Sequence, residues 1–164
     1  MILVNAPNDY GGFSFSKEIR VFLGGSIEMG KAENWQVKLA EYLKDVPDLI
    51  LLNPRREDWD SSWIQDPTPG TQFHEQVTWE LQAQEDSDII FYNFESGTQS
   101  PITLFELGLF GNSLYDVVVC CPEDFWRYGN VKIVCDRYGV PLYNTKEEAF
   151  VELKKKIGDL TNGN

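Results

Sequence analysis

The sequence predicts an α/β fold, a three-layer sandwich around a mainly parallel, five-stranded sheet, and three observations carry that prediction. Five short runs, beginning at Glu18, Leu49, Asp88, Asp116 and Val140, are apolar along most of their length instead of alternating, the pattern of strands covered on both faces. A stretch with helical spacing follows each run, and strand–helix alternation implies parallel strands joined by right-handed crossovers. Polar loops containing Gly, Pro and aromatic residues follow the first four runs, on the rim where open α/β sheets take their ligands. A chain of 164 residues suits one such domain, here 1–164 with a core from about 18 to 158.

The elements follow in order. Met1–Val4 is compatible with an edge strand and Asn5–Gly12 with a loop. Glu18–Leu23 is the first clear strand. Gly24-Gly25-Ser26 comes at once after it, serving either a tight strand-to-helix turn or close backbone approach to a ligand. Ala32–Lys44 has Trp35, Leu39, Tyr42 and Leu43 at helical spacing and is closed by Pro47, before the strand Leu49–Leu52. The loop Asn53–Trp63 packs two arginines, three acids and two tryptophans. Either these pair among themselves, or Trp and Arg stack on a planar ligand while Asp bonds its edge. Thr71–Glu85 reads as a helix burying Phe73, Val77 and Leu81, with Glu80 beside that stripe and facing solvent or a pocket wall.

The segment Asp88–Gly108 is the centre of the chain. Asp88–Tyr92 is a strand, Glu95–Gln99 a polar loop, and Ser100-Pro101 opens a helix, Ser as N-cap and Pro at the first helical position. One charge, Glu106, sits in this otherwise apolar helix close behind a strand's C-terminal end. A carboxylate is costly to bury alone, so Glu106 either pairs or works in a pocket. Asp116–Cys121 is the next strand. The loop Pro122–Gly129 follows, then a helix Asn130–Tyr138 burying Val131, Val134, Cys135 and Tyr138, and a short edge strand Val140–Tyr143. Thr145–Glu148 matches a capping box opening a last helix with Phe150, Leu153 and Ile157 on its face.

Composition narrows the function. A net charge of −12 argues against a nucleic-acid backbone as partner. No apolar run approaches membrane-spanning length and there is no leader-like start, so a cytoplasmic protein is expected. Cys120, Cys121 and Cys135 lack the spacing of a disulfide framework or zinc site and read as buried thiols; His74 is the one histidine. The rim therefore offers carboxylates, amides, hydroxyls, arginines and aromatics. Paired carboxylates are the tools of glycosyl transfer, and aromatics suit a planar leaving group.

Longer motifs make the reading specific. Gly25-Ser26-Ile27-Glu28-Met29-Gly30-Lys31-Ala32, the loop Asn53–Trp63, Ser100–Gly108 (S-P-I-x-x-x-E-L-G) and Cys120–Val131 (C-C-P-E-x-F-W-x-x-G-N-V) together resemble the nucleoside 2-deoxyribosyltransferase family, in its branch with the N-P-R-R-x-D-W-D-S-S-W loop. The resemblance covers roughly Val21–Leu142 and implies a flavodoxin-like (Rossmann-like) sandwich. It implies that Glu106 is the nucleophile attacking C1′ of a 2′-deoxyribonucleoside, with Phe105 where the family has Met. Glu80 matches an acid that manages the base's proton, Glu replacing Asp. Phe22 stands where other members carry a tyrosine that steadies the nucleophile, so Tyr92 or Ser26 is expected to supply that hydroxyl. Gly24, Gly25, Ser26 and Ser100 are expected at the substrate, Asp58 and Trp59 at the base, and Asn130 at the sugar of a neighbouring subunit's site. The family uses no cofactor or metal. Its partners are a deoxyribonucleoside, a free nucleobase and further copies of the chain. The alternatives are a hydrolase of deoxyribonucleosides or their 5′-monophosphates, and a non-catalytic nucleotide sensor.

Overall fold

The computed structural model describes residues 1–11, 18–26, 34–56, 62–112 and 114–162. The elements run β1 (Ile2–Asn5), β2 (Ile19–Gly25), α1 (Trp35–Tyr42), β3 (Leu49–Asn53), α2 (Gln72–Glu85), β4 (Ile89–Asn93), α3 (Pro101–Phe110), β5 (Val117–Cys120), α4 (Tyr128–Tyr138), β6 (Leu142–Tyr143) and α5 (Lys146–Asn162). They form one six-stranded sheet in the order β1-β3-β2-β4-β5-β6, parallel at every pairing. Without β1 this is the flavodoxin-like order, with its reversal between β2 and β4. The sixth strand is the ambiguous N-terminal run, which pairs with β3 from Ile2↔Ile50 to Asn5↔Asn53. Partly exposed at the sheet edge, it lacks the two-sided apolar pattern that marks the other strands. Among the described residues no helix is long and apolar enough to cross a membrane.

The pleat sorts the core into two layers. Val21 and Leu23 of β2, Ile89 and Phe91 of β4, and Val118 pack against Trp35 and Leu39 of α1, Leu43 at its C-cap, and Leu153 and Ile157 from α5. Phe22, Ile90, Tyr92, Val117 and Val119 point the other way, to Ala83 of α2, Leu107 and Phe110 of α3, and Val131 and Cys135 of α4. Helices α2 and α3 therefore share one layer over the reversal point. The three cysteines are buried free thiols, as expected, and burial pushes each up to about 12.

Several local expectations change. The buried residues of α2 are Gln76, Ala83 and Gln84; Phe73 and Leu81 are half-buried and Val77 is exposed. A polar stripe replaces the apolar one because its amide N–H groups find acceptors inside. Ser100 precedes α3, but its side chain makes no cap bond; it adopts a left-handed backbone (φ +46°) and turns its hydroxyl elsewhere. In α4 the buried face is Val131 and Cys135, while Tyr138 is exposed. At the start of α5 the Glu148 N–H donates to Thr145 Oγ1 at 3.3 Å, one half of the expected capping box, and Thr145 Oγ1 donates in turn to Glu148 Oε2 at 2.9 Å.

Gly24 and Gly25 are explained by close packing. A Cβ on Gly24 would lie 2.6 Å from the Tyr92 ring and 3.1 Å from Phe22. One on Gly25, whose φ is +151°, would lie 2.3 Å from the Asn93 carbonyl oxygen of the neighbouring strand. Backbone cannot yield as a flexible side chain can. Gly25→Ala should therefore lower unfolding free energy by about 1–3 kcal/mol, the usual cost of overpacking, read as a lower urea midpoint. A midpoint equal to wild type would show that this strand end adapts freely.

Candidate active site

Glu106 lies at the middle of α3, on the face that also buries Thr103, Leu107 and Phe110. Its side chain is 6% exposed. Gln84, fully buried on α2, donates from Nε2 to Glu106 Oε1 at 2.9 Å. The same nitrogen donates to the Glu80 carbonyl one turn back at 3.1 Å. Gln84 Oε1 accepts a short hydrogen bond from the Tyr92 hydroxyl, which rises from the end of β4. Tyr92 thus reaches the carboxylate through an amide, not directly. Its own ionisation is pushed far up by burial and by the Glu106 charge.

Glu80 stands one turn before Gln84 on α2, half-buried. Its Oε1 accepts from Gln76 Nε2 at 2.8 Å, and that nitrogen also donates to the Pro54 carbonyl at 2.8 Å. Gln76, Glu80 and Gln84 form an i, i+4, i+8 ladder along one helix face. Sequence reading missed both glutamines. The even spacing was a usable signal, because residues four apart share a face. Burial raises Glu80 to about 7, with the Gln76 bond pulling back. Burial first, then the Glu80 charge, raises Glu106 to about 8, against the Gln84 bond. Two desolvated carboxyls in electrostatic contact favour holding one proton between them.

A second polar group sits at the ends of β2 and β4. Ser26 Oγ, 1% exposed in its residue, lies 2.8 Å from Thr98 Oγ1 and 2.6 Å from Ser100 Oγ, which are themselves 3.0 Å apart. The Glu95 backbone N–H donates to Ser26 Oγ at 3.1 Å. These hydroxyls tie the β2 end to the loop that launches α3. Ser26 therefore holds the loop and does not hydrogen-bond Glu106, and Thr98 is a member the sequence did not suggest.

The remaining expected residues are more scattered. Asn130 is exposed in the first turn of α4. Asp58 and Trp59 lie outside the described residues. At the described ends of their loop, Arg56 stacks over the Trp63 ring at 4.8 Å and the Arg55 N–H donates to Asn53 Oδ1 at 3.1 Å. The loop is thus partly self-paired. Trp126 Nε1 donates to the Gln99 carbonyl at 3.0 Å, and Phe125 packs on Phe94 with centroids 4.9 Å apart, so the β5–α4 loop leans on the β4–α3 loop. Among the described residues no cluster of His, Cys, Asp or Glu could hold a metal ion.

The chain is similar in fold to a conserved protein from Enterococcus faecalis V583, with a TM-score of 0.62 at 11% identity over 85% of this chain and 99% of that one. No curated protein matches. The family model described as "Nucleoside 2-deoxyribosyltransferase like" matches residues 18–125, a span that includes β2, α2, β4 and α3. With more than half its length so matched, the chain belongs to the nucleoside 2-deoxyribosyltransferase-like family.

Proposed function

We propose that the protein transfers 2-deoxyribose between nucleobases through a covalent intermediate on Glu106. The observation that carries the reading is a buried carboxylate, held by an amide donor, facing a second desolvated carboxyl at the sheet's reversal point. A Glu106 oxygen attacks C1′ and forms an ester bond as the C1′–N bond breaks. Glu80 gives its proton to the departing base nitrogen. A second base then attacks C1′ from the vacated side, the ester opens, and its proton returns to Glu80. Two inversions give net retention. The transition state carries positive charge at the anomeric carbon, which an anion beneath it stabilises. That charge also favours the ionised form of Glu106 and so leaves the pair's proton on Glu80, beside the base. Gly24, Gly25, Ser26 and Ser100 shape the sugar side. The docked Phe125–Trp126 loop supports exclusion of water, which favours transfer over hydrolysis.

The reading extends to a second copy of the chain. Ile102, Phe105 and Leu109 are 63%, 63% and 45% exposed and fall at i, i+3 and i+7 on α3, outward from the buried face that holds Glu106. An apolar helical stripe of this kind suits a two-fold interface. Asn130, exposed on the neighbouring α4, is then available to a partner's site.

Three outcomes test these statements. Incubation with deoxyinosine or thymidine should yield deoxyadenosine only when adenine is added. Equal free base with and without adenine would make the protein a hydrolase, and no turnover of any donor would leave a binding protein. Glu106→Ala should abolish turnover, while Glu80→Gln should slow it about 100-fold or more where the base needs protonation; full activity in either variant would overturn its role. A mixture of Glu106→Ala and Asn130→Ala proteins should recover activity that neither has alone, and no recovery argues for sites complete within one chain.

Stability should also depend on this pair. Both carboxyls have folded pKa values raised above the ordinary 4.5, to about 7 and about 8. The folded state therefore binds their protons more tightly than the unfolded chain. Their contribution is fully favourable below pH 4.5 and is lost as pH rises through 7 to 8. Melting temperature should fall across that window, and Glu106→Gln should flatten the fall and melt higher than wild type at pH 8. An unchanged pH profile in that variant would show that Glu106 is not a desolvated acid.

A further inference from the structure

Phe22 lacks the hydroxyl that would steady Glu106, and its ring is fully buried beside Gly24. Something else must orient this carboxylate. We infer that Gln84 is the positioning residue for Glu106, that Tyr92 acts on Glu106 only through the Gln84 amide, and that Gly24 is small in order to admit the Tyr92 ring. The inference rests on the proposed role of Glu106.

The hydrogen-bond pattern allows one orientation of the amide. The Nε2 group has two hydrogens, and its two partners, Glu80 O and Glu106 Oε1, accept. The Glu80 carbonyl is a backbone acceptor at every pH. Rotating the amide by half a turn would set Gln84 Oε1 against that carbonyl oxygen, acceptor facing acceptor, and would place Nε2 at the Tyr92 hydroxyl. The Tyr92 bond to Oε1 opposes the same rotation from the other end. The donor edge is therefore locked toward Glu106 by two groups that do not touch the carboxylate themselves. Tyr92 is locked in turn: it is fully buried and pairs across the sheet with Gly24, where any Cβ would enter its ring. The chain of contacts runs from a glycine in β2, through a tyrosine in β4 and a glutamine in α2, to the carboxylate in α3.

The consequence is chemical as well as steric. A donor fixed on one carboxylate oxygen favours the ionised form and holds the plane of the group, so the other oxygen is presented in one direction. The titratable groups facing Glu106 are Glu80 on α2 and Tyr92 on β4. Glu80 opposes ionisation and Tyr92 stays neutral, which leaves Gln84 as the group among the described residues that favours it.

The test separates positioning from simple packing. Gln84→Met keeps length and apolar fit but removes the amide. It should lower kcat about 10- to 100-fold, as expected for a hydrogen bond to a charged group, with KM within about threefold. The acidic limb of the kcat/KM profile should move to higher pH. Tyr92→Phe should lower kcat less and move the limb the same way. The double variant should match Gln84→Met alone, because Tyr92 has no separate route to Glu106. Additive losses, or a limb that stays in place in folded Gln84→Met, would overturn the inference. If Gln84→Met fails to fold, Tyr92→Phe, one atom smaller than wild type, still reports the limb shift. Infrared titration of the Glu106 carboxyl, identified by its absence in Glu106→Gln, needs no turnover. A shifted titration in a protein that cleaves no nucleoside would support Gln84 and overturn the function; turnover with an unshifted titration would do the reverse.

Discussion

Everything at the proposed site follows from placing one carboxylate inside an apolar helix layer. Glu106 shares its face of α3 with Leu107 and Phe110, which pack on the sheet. A carboxylate taken out of water must find donors, bind a proton, or both. Here it does both. Gln84 supplies a donor at 2.9 Å, and burial with the nearby Glu80 moves proton binding up to about pH 8. The same desolvation that destabilises the anion would, in the proposed mechanism, make it a strong partner for a positive centre at C1′. The burial that makes the group poor for folding at alkaline pH is the same burial that suits it to the proposed chemistry.

The parallel sheet supplies the geometry that this requires. Strand order reverses between β2 and β4, the position at which open α/β sheets take their ligands. The pleat then decides what faces it. Phe22, Gly24 and Tyr92 all point toward the α2–α3 layer, and the register pairs Gly24 with Tyr92. On the opposite face the same strands offer Val21, Leu23 and Phe91 to α1 and α5. The groups that contact Glu106 are thus gathered on one face of the sheet. Ser26, Thr98 and Ser100 close the upper end by tying β2 to the start of α3, which explains why the Ser100 hydroxyl is spent on that triangle and not on capping its helix.

How much of this was legible depends on what kind of signal each residue left. The core strands and α3 were readable because continuous apolar runs and a Ser-Pro start are strong local patterns. Glu106 stood out because a charge contradicts its apolar surroundings. The edge strand β1 was ambiguous because four half-exposed residues carry no two-sided pattern. The α2 face was misread for a deeper reason. Phe73, Val77 and Leu81 have helical spacing, yet the helix buries Gln76 and Gln84. Apolar periodicity reports burial only when the buried surface is apolar. Where amides find carbonyl, hydroxyl and carboxylate partners from three other elements, a working face looks like a solvated one. Two of the contacts that make it work are distant in sequence, Gln84 to Glu106 and Gln76 to Pro54 each spanning 22 residues.

That difference also explains why a phenylalanine at position 22 is tolerable. A steadying hydroxyl directly beneath the nucleophile is one solution to orienting it. Here the hydroxyl sits on the neighbouring strand and an amide spans the remaining gap. The amide adds what a hydroxyl lacks. A hydroxyl rotates and can donate to either of two neighbours, whereas the planar Gln84 side chain has its donor and acceptor edges fixed once Glu80 O and Tyr92 are engaged. It also links Glu106 to the backbone of the helix turn that carries Glu80. A displacement of α2 would move the donor to Glu106 and the Glu80 carboxyl together, because Gln84 and Glu80 stand on one helix.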